Sequence, residues 1–160
     1  MALGTVMRGL VRGAAAGAAG TTALDAVTYA DMAIRGRPSS STPQRTVETV
    51  AAAVGQRIPG TGEKRENRLA GLGALAGIAT GVALGAALGA VRELGWRPST
   101  LTGGVVTTGI ALVAANGPMV ALRITDPRTW SAVDWAADIV PHLAYGAVTY
   151  ATLAATDPDH

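Results

Sequence analysis

Six polar side chains that could carry acid–base chemistry lie within otherwise apolar stretches of the sequence. They are Asp25, Tyr29, Asn116, Asp138, His142 and Tyr145. Carboxylate and imidazole groups inside a helix bundle are typical of proton relays, because histidine changes its charge between about pH 5 and 8 and burial raises the pKa of a carboxyl group. Such chemistry requires the six groups to meet, which depends on the helices that carry them.

The spacing of these residues predicts two polar stripes on helices. Asp25 and Tyr29 are four positions apart, and so are Asp138 and His142, with Tyr145 three positions further on. Residues three or four apart share one face of an α-helix. A carboxylate at the centre of a membrane costs about 2.5–3.5 kcal/mol on insertion scales, so such residues face the bundle interior and pair.

The depth of each residue in its segment predicts that the stripes meet. Counted from the basic end at about 1.5 Å per residue, Asp25, Asn116 and His142 lie about 10–13 Å deep. Tyr29 and Asp138 lie about one turn shallower. The sequence therefore predicts that all six residues form one buried cluster that opens toward the cytoplasm.

Three functions are compatible with such a cluster. It could hydrogen-bond internally and fix the helix register, or relay protons or small polar solutes. It could also belong to a membrane-embedded enzyme acting on a lipid-soluble substrate, with Asp25 or Asp138 as base and His142 as acid or metal ligand. We favour a non-enzymatic protein, because the sequence has no nucleophile motif, phosphate loop or zinc motif. No cofactor and no metal is predicted.

The elements are predicted from long stretches with few charges. The prediction is an all-α fold, one domain over 1–160, with transmembrane helices at residues 9–33, 69–91, 101–122 and 132–155. The segment 69–91 has 23 residues and no charge, and as a helix it is about 34 Å long, enough to cross a bilayer. Ser131 with Asp134 three positions later predicts a capping box at the start of the last helix.

A shorter helix is predicted at residues 43–58. Pro43 suits a first helical position, and Val47, Val50, Val54 and Ile58 follow at spacings of three and four. This pattern predicts an amphipathic helix on the membrane surface.

A glycine recurs every fourth residue in the second long segment. The glycines are Gly73, Gly77, Gly81, Gly85 and Gly89, with a shorter series at Gly9, Gly13 and Gly17. This glycine zipper leaves a groove that lets another helix backbone approach closely. Two partners are open: another helix of the same chain, which we favour, or a second copy in a homo-oligomer.

Composition and charge agree with a membrane location. Charged residues are 15% of the chain and cysteine is absent, which excludes disulfides and thiolate sites. Seven of the 13 basic residues lie from 35 to 68 without interleaved aromatics, so nucleic acid is not a predicted partner. With Arg123 and Arg128, nine basic residues lie on the side of the first and third connections and four on the other. The first and third connections are therefore predicted to be cytoplasmic, with both termini outside.

Several short motifs resemble those of known membrane proteins. Gly36-Arg37-Pro38, Ser41-Thr42-Pro43, Asn116-Gly117-Pro118-Met119 and the run from Pro141 to Gly146 resemble small actinobacterial membrane proteins. The arrangement of spans is similar to that of the YagU-like inner-membrane family. The resemblance implies a four-helix inner-membrane protein and, for the YagU-like group, a link to acid tolerance. It implies no catalytic residues.

Overall fold

The computed structural model describes residues 2–157, and within them the regular structure is entirely helical. The helices are α1 (Ala2–Arg35), α2 (Thr42–Ala53), α3 (Gly62–Glu93), α4 (Thr100–Ala121) and α5 (Ala132–Ala155), with a 3-10 turn at Pro127–Thr129. The predicted all-α class is confirmed.

The helix bounds differ from the predicted ones mainly at charged ends. The α5 helix has the predicted bounds, α4 begins and ends one residue earlier, and α3 begins seven residues before the predicted start. Backbone hydrogen bonding continues through charged residues, because Glu, Lys and Arg are good helix formers. Hydropathy marks the limits of the apolar stretch rather than the limits of the helix.

The α2 helix is shorter than predicted. It ends at Ala53, and Gly55 follows with a φ of 74°. Glycine adopts this left-handed conformation at little cost, so it ends the helix. Ile58, the last residue of the predicted stripe, therefore lies outside α2. At the start of α5 the predicted capping box of Ser131 and Asp134 is present.

The four long helices run up and down, with α1 antiparallel to two neighbours. The α1 helix packs along α3 and α5, α4 packs along α5, and α2 rests against α3. Close contacts fix the registers: Gly9 lies opposite Gly89, and Gly20 lies opposite Tyr145 and Thr149.

The interface between α1 and α3 consists of glycines from both helices. Its three levels are Gly9 with Gly89, Gly13 with Gly85, and Gly17 with Gly81. A Cβ added at Gly9 would lie 2.6 Å from the carbonyl oxygen of Gly89, and one at Gly17 would lie 2.5 Å from that of Gly81. Only hydrogen fits at these positions, so the two backbones are in direct contact. The shorter and the longer glycine series thus meet within one chain.

The other two glycines of the long series have different surroundings. A Cβ at Gly73 would lie 3.1 Å from the Cβ of Pro43 in α2, whereas Gly77 has nothing within 4 Å. The groove on α3 is therefore used by α1 near one end and by α2 near the other, with an open position between them.

The long helices expose many large apolar side chains and bury several polar ones alongside the apolar interior. Large apolar residues are exposed on the long helices, among them Leu75 at 62% and Val113 at 72%. Buried positions include charged and hydroxyl-bearing residues such as Arg92, Thr107 and Thr149. Within residues 2–157, α3 and α4 are long and apolar enough to span a membrane. Two candidate spans are thus found where four were predicted.

We predict that Gly85→Ala destabilises the fold while Gly77→Ala does not. The new Cβ at position 85 would overlap the carbonyl oxygen of Gly13 and lie 2.5 Å from the Cα of Gly17, and such overpacking costs about 1–3 kcal/mol. Unfolding by SDS, followed by circular dichroism in detergent, measures the difference. Equal stability of the two variants would contradict a glycine-to-glycine contact between α1 and α3.

Candidate functional site

Three of the six predicted polar residues meet between α4 and α5. The Nδ2 of Asn116 donates to Oδ2 of Asp138 at 2.8 Å. The Nδ1 of His142 lies 2.7 Å from the main-chain oxygen of Asp138 and 3.5 Å from its Oδ1. We call these three residues the α4–α5 polar site.

The hydrogen bond to the main chain determines the tautomer of His142. A carbonyl oxygen can only accept, so Nδ1 carries the hydrogen in this contact. In the neutral ring Nε2 then carries the free lone pair. The side chains of His142 and Asp138 are 12% and 19% exposed. The site is therefore mostly buried but still reaches the surface of the bundle.

Each of the two helices that form this site contains a proline beside it. Pro118 lies within α4 and Pro141 within α5. Proline has no N–H group, so the carbonyls of Ala114 and Ala137 lack their usual helical donors. These two carbonyls are available as acceptors near the site.

The other three predicted residues do not join this group. The hydroxyl of Tyr145 donates to the carbonyl oxygen of Gly81 on α3 at 2.7 Å. Tyr29 is 61% exposed. Among residues 2–157, no hydrogen bond joins Asp25 or Tyr29 to the rest of the predicted cluster. The contacts of Gly20 with Tyr145 and Thr149 place Asp25 near the level of His142, but the two side chains do not meet.

The rotation of α1 explains this outcome. Its glycine face must point toward α3, and an α-helix turns about 100° per residue, so Tyr29 lies about 160° around the axis from Gly13. Matching depth specifies the level of a side chain but leaves its direction open. The prediction of a single six-residue cluster needs correction to a three-residue site.

A second polar group lies at the other end of the bundle, and the sequence did not predict it. The Nε of Arg92 donates to Oδ2 of Asp157 at 2.6 Å, and its Nη1 donates to the hydroxyl of Tyr150 at 2.9 Å. That hydroxyl in turn donates to the carbonyl oxygen of Pro98 at 3.1 Å. The Asp157 side chain is only 2% exposed.

Two more arginines approach the same carboxylate. Arg12 Nη2 lies 3.8 Å from Asp157 Oδ1, and Arg97 Nη1 lies 3.6 Å from its Oδ2. Arg12 also pairs with Glu93 at 3.0 Å. We call the five charged residues of this group the arginine cluster: Arg12, Arg92, Glu93, Arg97 and Asp157. It joins the first turns of α1, the end of α3 and the end of α5, and an open cleft of about 500 Å³ lies beside it.

The arginine cluster was missed because its members look like ordinary helix ends. Arg92 follows an apolar stretch as topology-setting residues do, and Asp157 precedes a proline as helix-terminating residues do. The available signal was antiparallel pairing. Because α1 packs antiparallel to both α3 and α5, the start of α1 and the ends of α3 and α5 lie together, and with them Arg12, Arg92 and Asp157.

A small apolar layer separates the two polar regions. Its members are the buried residues Ala16, Leu88 and Leu153. Each lies about one turn from an arginine-cluster residue on its own helix. On the other side of this layer Thr149 is fully buried, and its hydroxyl has no hydrogen-bond partner among the described residues.

Comparison with family models, with curated proteins and with solved structures finds no match to this chain. The resemblance to the YagU-like family therefore stays a prediction. Within residues 2–157, no group of three or more His, Cys, Asp or Glu side chains is arranged to hold a metal ion.

We predict that Asp157→Ala destabilises the protein far more than Asp126→Ala. Removing one partner of a buried ion pair costs about 3–5 kcal/mol, because the remaining charge stays buried without compensation. Asp126 also pairs with an arginine, Arg128, which holds the pKa of its carboxyl below the usual value, but that pair is exposed and screened by water. Denaturation of both variants in detergent at neutral pH tests this, and equal losses would argue against a special role for the cluster.

Proposed function

We propose that this is an integral membrane protein with four transmembrane helices, in which the α4–α5 polar site takes up and relays protons. The supporting observation is the contact of His142 Nδ1 with the Asp138 main chain, which leaves Nε2 as the basic nitrogen of a histidine beside a carboxylate. A protonatable pair of this kind inside a membrane bundle is typical of proton pathways.

The packing supports a transmembrane placement for α1 and α5 as well. Their polar side chains, such as Thr21, Tyr145 and Thr149, are buried against neighbouring helices. A helix whose polar face is covered by protein needs less overall hydropathy to cross a bilayer. With 34 and 24 residues, the two helices are about 51 and 36 Å long, which exceeds the hydrocarbon thickness of about 30 Å.

The interior polar groups suggest from which side protons arrive. From Asp138 and His142, the same face of α5 continues inward to Tyr145 and Thr149, each three or four residues on. Beyond Thr149 the apolar layer of Ala16, Leu88 and Leu153 interrupts the series. The site therefore exchanges protons with the water at the basic end of the bundle, which carries nine of the 13 basic residues.

That end is cytoplasmic in our proposal, since basic residues are enriched in cytoplasmic connections. Both termini then lie outside, in a bacterial inner membrane. In this orientation the arginine cluster closes the outer end of the bundle, and proton passage requires the apolar layer to open transiently.

We predict that the protein dissipates a pH gradient across liposomes and that His142→Gln reduces the rate at least about tenfold, as expected for a group that transfers the proton. Glutamine retains a hydrogen-bonding amide but cannot bind a proton near neutral pH. Tyr29→Phe, which alters an exposed member of the originally predicted cluster, is the matched control and should transport normally. A pH-sensitive dye enclosed in the liposomes reports the rate.

Two outcomes would contradict the relay. One is a wild-type rate equal to that of protein-free liposomes. The other is normal transport by folded His142→Gln. If His142→Gln instead fails to fold in detergent, the polar site holds α4 to α5. Asp138→Asn, which keeps an oxygen that accepts from Asn116, then separates an effect on folding from an effect on transport.

A further inference from the structure

We infer that the basic end of the bundle is a binding surface for anionic lipid headgroups, formed by α2 and by four cations that lack acidic partners. Two separate features of this end support the inference. One is the pairing state of its basic residues, and the other is the exposed apolar face of α2.

Eight of the nine basic residues at this end divide into two groups by their partners, and the ninth, Arg68, donates to the carbonyl oxygen of Pro59. In the first group, Arg35 and Arg37 pair with Asp31, Arg65 pairs with Glu48, and Arg128 pairs with Asp126. The second group consists of Arg45, Arg57, Lys64 and Arg123, which form no ion pair within residues 2–157. We call this second group the unpaired cations. Their charge is available to an external anion.

The opposite end of the bundle provides a contrast. There Arg12, Arg92 and Arg97 all contact Glu93 or Asp157. Their charge is largely compensated within the protein, and only the exposed Arg8 at this end forms no ion pair among the described residues. Four such cations lie at the basic end, which also carries the carboxylates of Glu63 and Glu66, so unpaired positive charge is more abundant there, as expected for a surface facing an anionic leaflet.

The α2 helix presents an apolar face that no other part of the described chain covers. It has no buried residue, and it touches α3 through Pro43 and Gln44, which lie against Gly73. Val50 and Val54, four residues apart on one face, are 48% and 68% exposed. Arg45 and Arg57 lie before and after this face. Apolar side chains flanked by cations are the pattern of a helix in the headgroup region of a bilayer.

Phospholipid headgroups of net negative charge match both features. In the inferred complex the valines enter the acyl boundary while the unpaired cations contact the phosphates. A cation near an anionic membrane surface raises affinity about fivefold. Charge complementarity thus favours anionic over zwitterionic lipid as the occupant of this surface.

The test compares two variants of equal charge change in the full-length protein. In one, the unpaired cations are changed as Arg45→Gln, Arg57→Gln, Lys64→Gln and Arg123→Gln. In the other, the paired arginines are changed as Arg35→Gln, Arg37→Gln, Arg65→Gln and Arg128→Gln. Each protein is reconstituted in nanodiscs containing phosphatidylcholine with phosphatidylglycerol. Native mass spectrometry then measures the phosphatidylglycerol that remains bound to the protein after the protein is released from the nanodisc.

We expect the wild type and the paired-arginine variant to retain phosphatidylglycerol in preference to phosphatidylcholine. The unpaired-cation variant should lose this preference by more than about tenfold, and α2 should then exchange its amide hydrogens faster in these bilayers. An equal loss in both variants would overturn the inference, because bulk charge alone would explain it. So would a wild type without preference, or no loss in either variant. If the fourfold unpaired-cation variant does not fold, Arg45→Gln with Arg57→Gln is compared with Arg35→Gln with Arg128→Gln.

Discussion

The direct contact between the backbones of α1 and α3 constrains most of the remaining structure. At three successive levels a glycine of one helix lies against a glycine of the other, and a methyl group would not fit at these positions. This contact sets the rotation of α1 about its axis. With α1 held in that rotation, Gly20 faces Tyr145 and Thr149 of α5, and α5 in turn brings Asp138 and His142 to α4. The geometry of the polar site is thus a consequence of packing between two other helices.

The second general feature is the apolar surface of the long helices. In the membrane setting that we propose, lipid covers this surface, so the helices gain little from the hydrophobic effect between them, and close packing and internal polar contacts hold the bundle together. The glycine interface provides the close packing. The arginine cluster and the α4–α5 polar site provide the internal polar contacts, at opposite ends of the bundle. The apolar layer between those ends has only three residues. This is enough to exclude water between the two polar regions, which is all that the interior requires.

The sequence predicted the helices well, because long apolar stretches, the Ser131 cap and the regular glycines are local signals. It also predicted the level of Asp25 relative to His142, since depth follows from residue counting alone. It did not predict that Tyr29 faces outward or that Tyr145 bonds to Gly81. Those directions depend on the rotation of whole helices, which the glycines determine only once their partner is known. The contact of Arg92 with Asp157 joins residues 65 positions apart, and no local pattern specifies it.

The central claim is that α1 and α5 lie across the bilayer with their polar faces turned inward. Spin labels on single cysteines test it directly, since the chain has no native cysteine. Suitable positions are the exposed residues Ala18 on α1 and Leu143 on α5, with Ile110 on α4 as the reference span. All three labels should be accessible to oxygen and protected from a water-soluble nickel complex. Nickel accessibility at Ala18 or Leu143, with Ile110 protected, would contradict the four-helix membrane bundle.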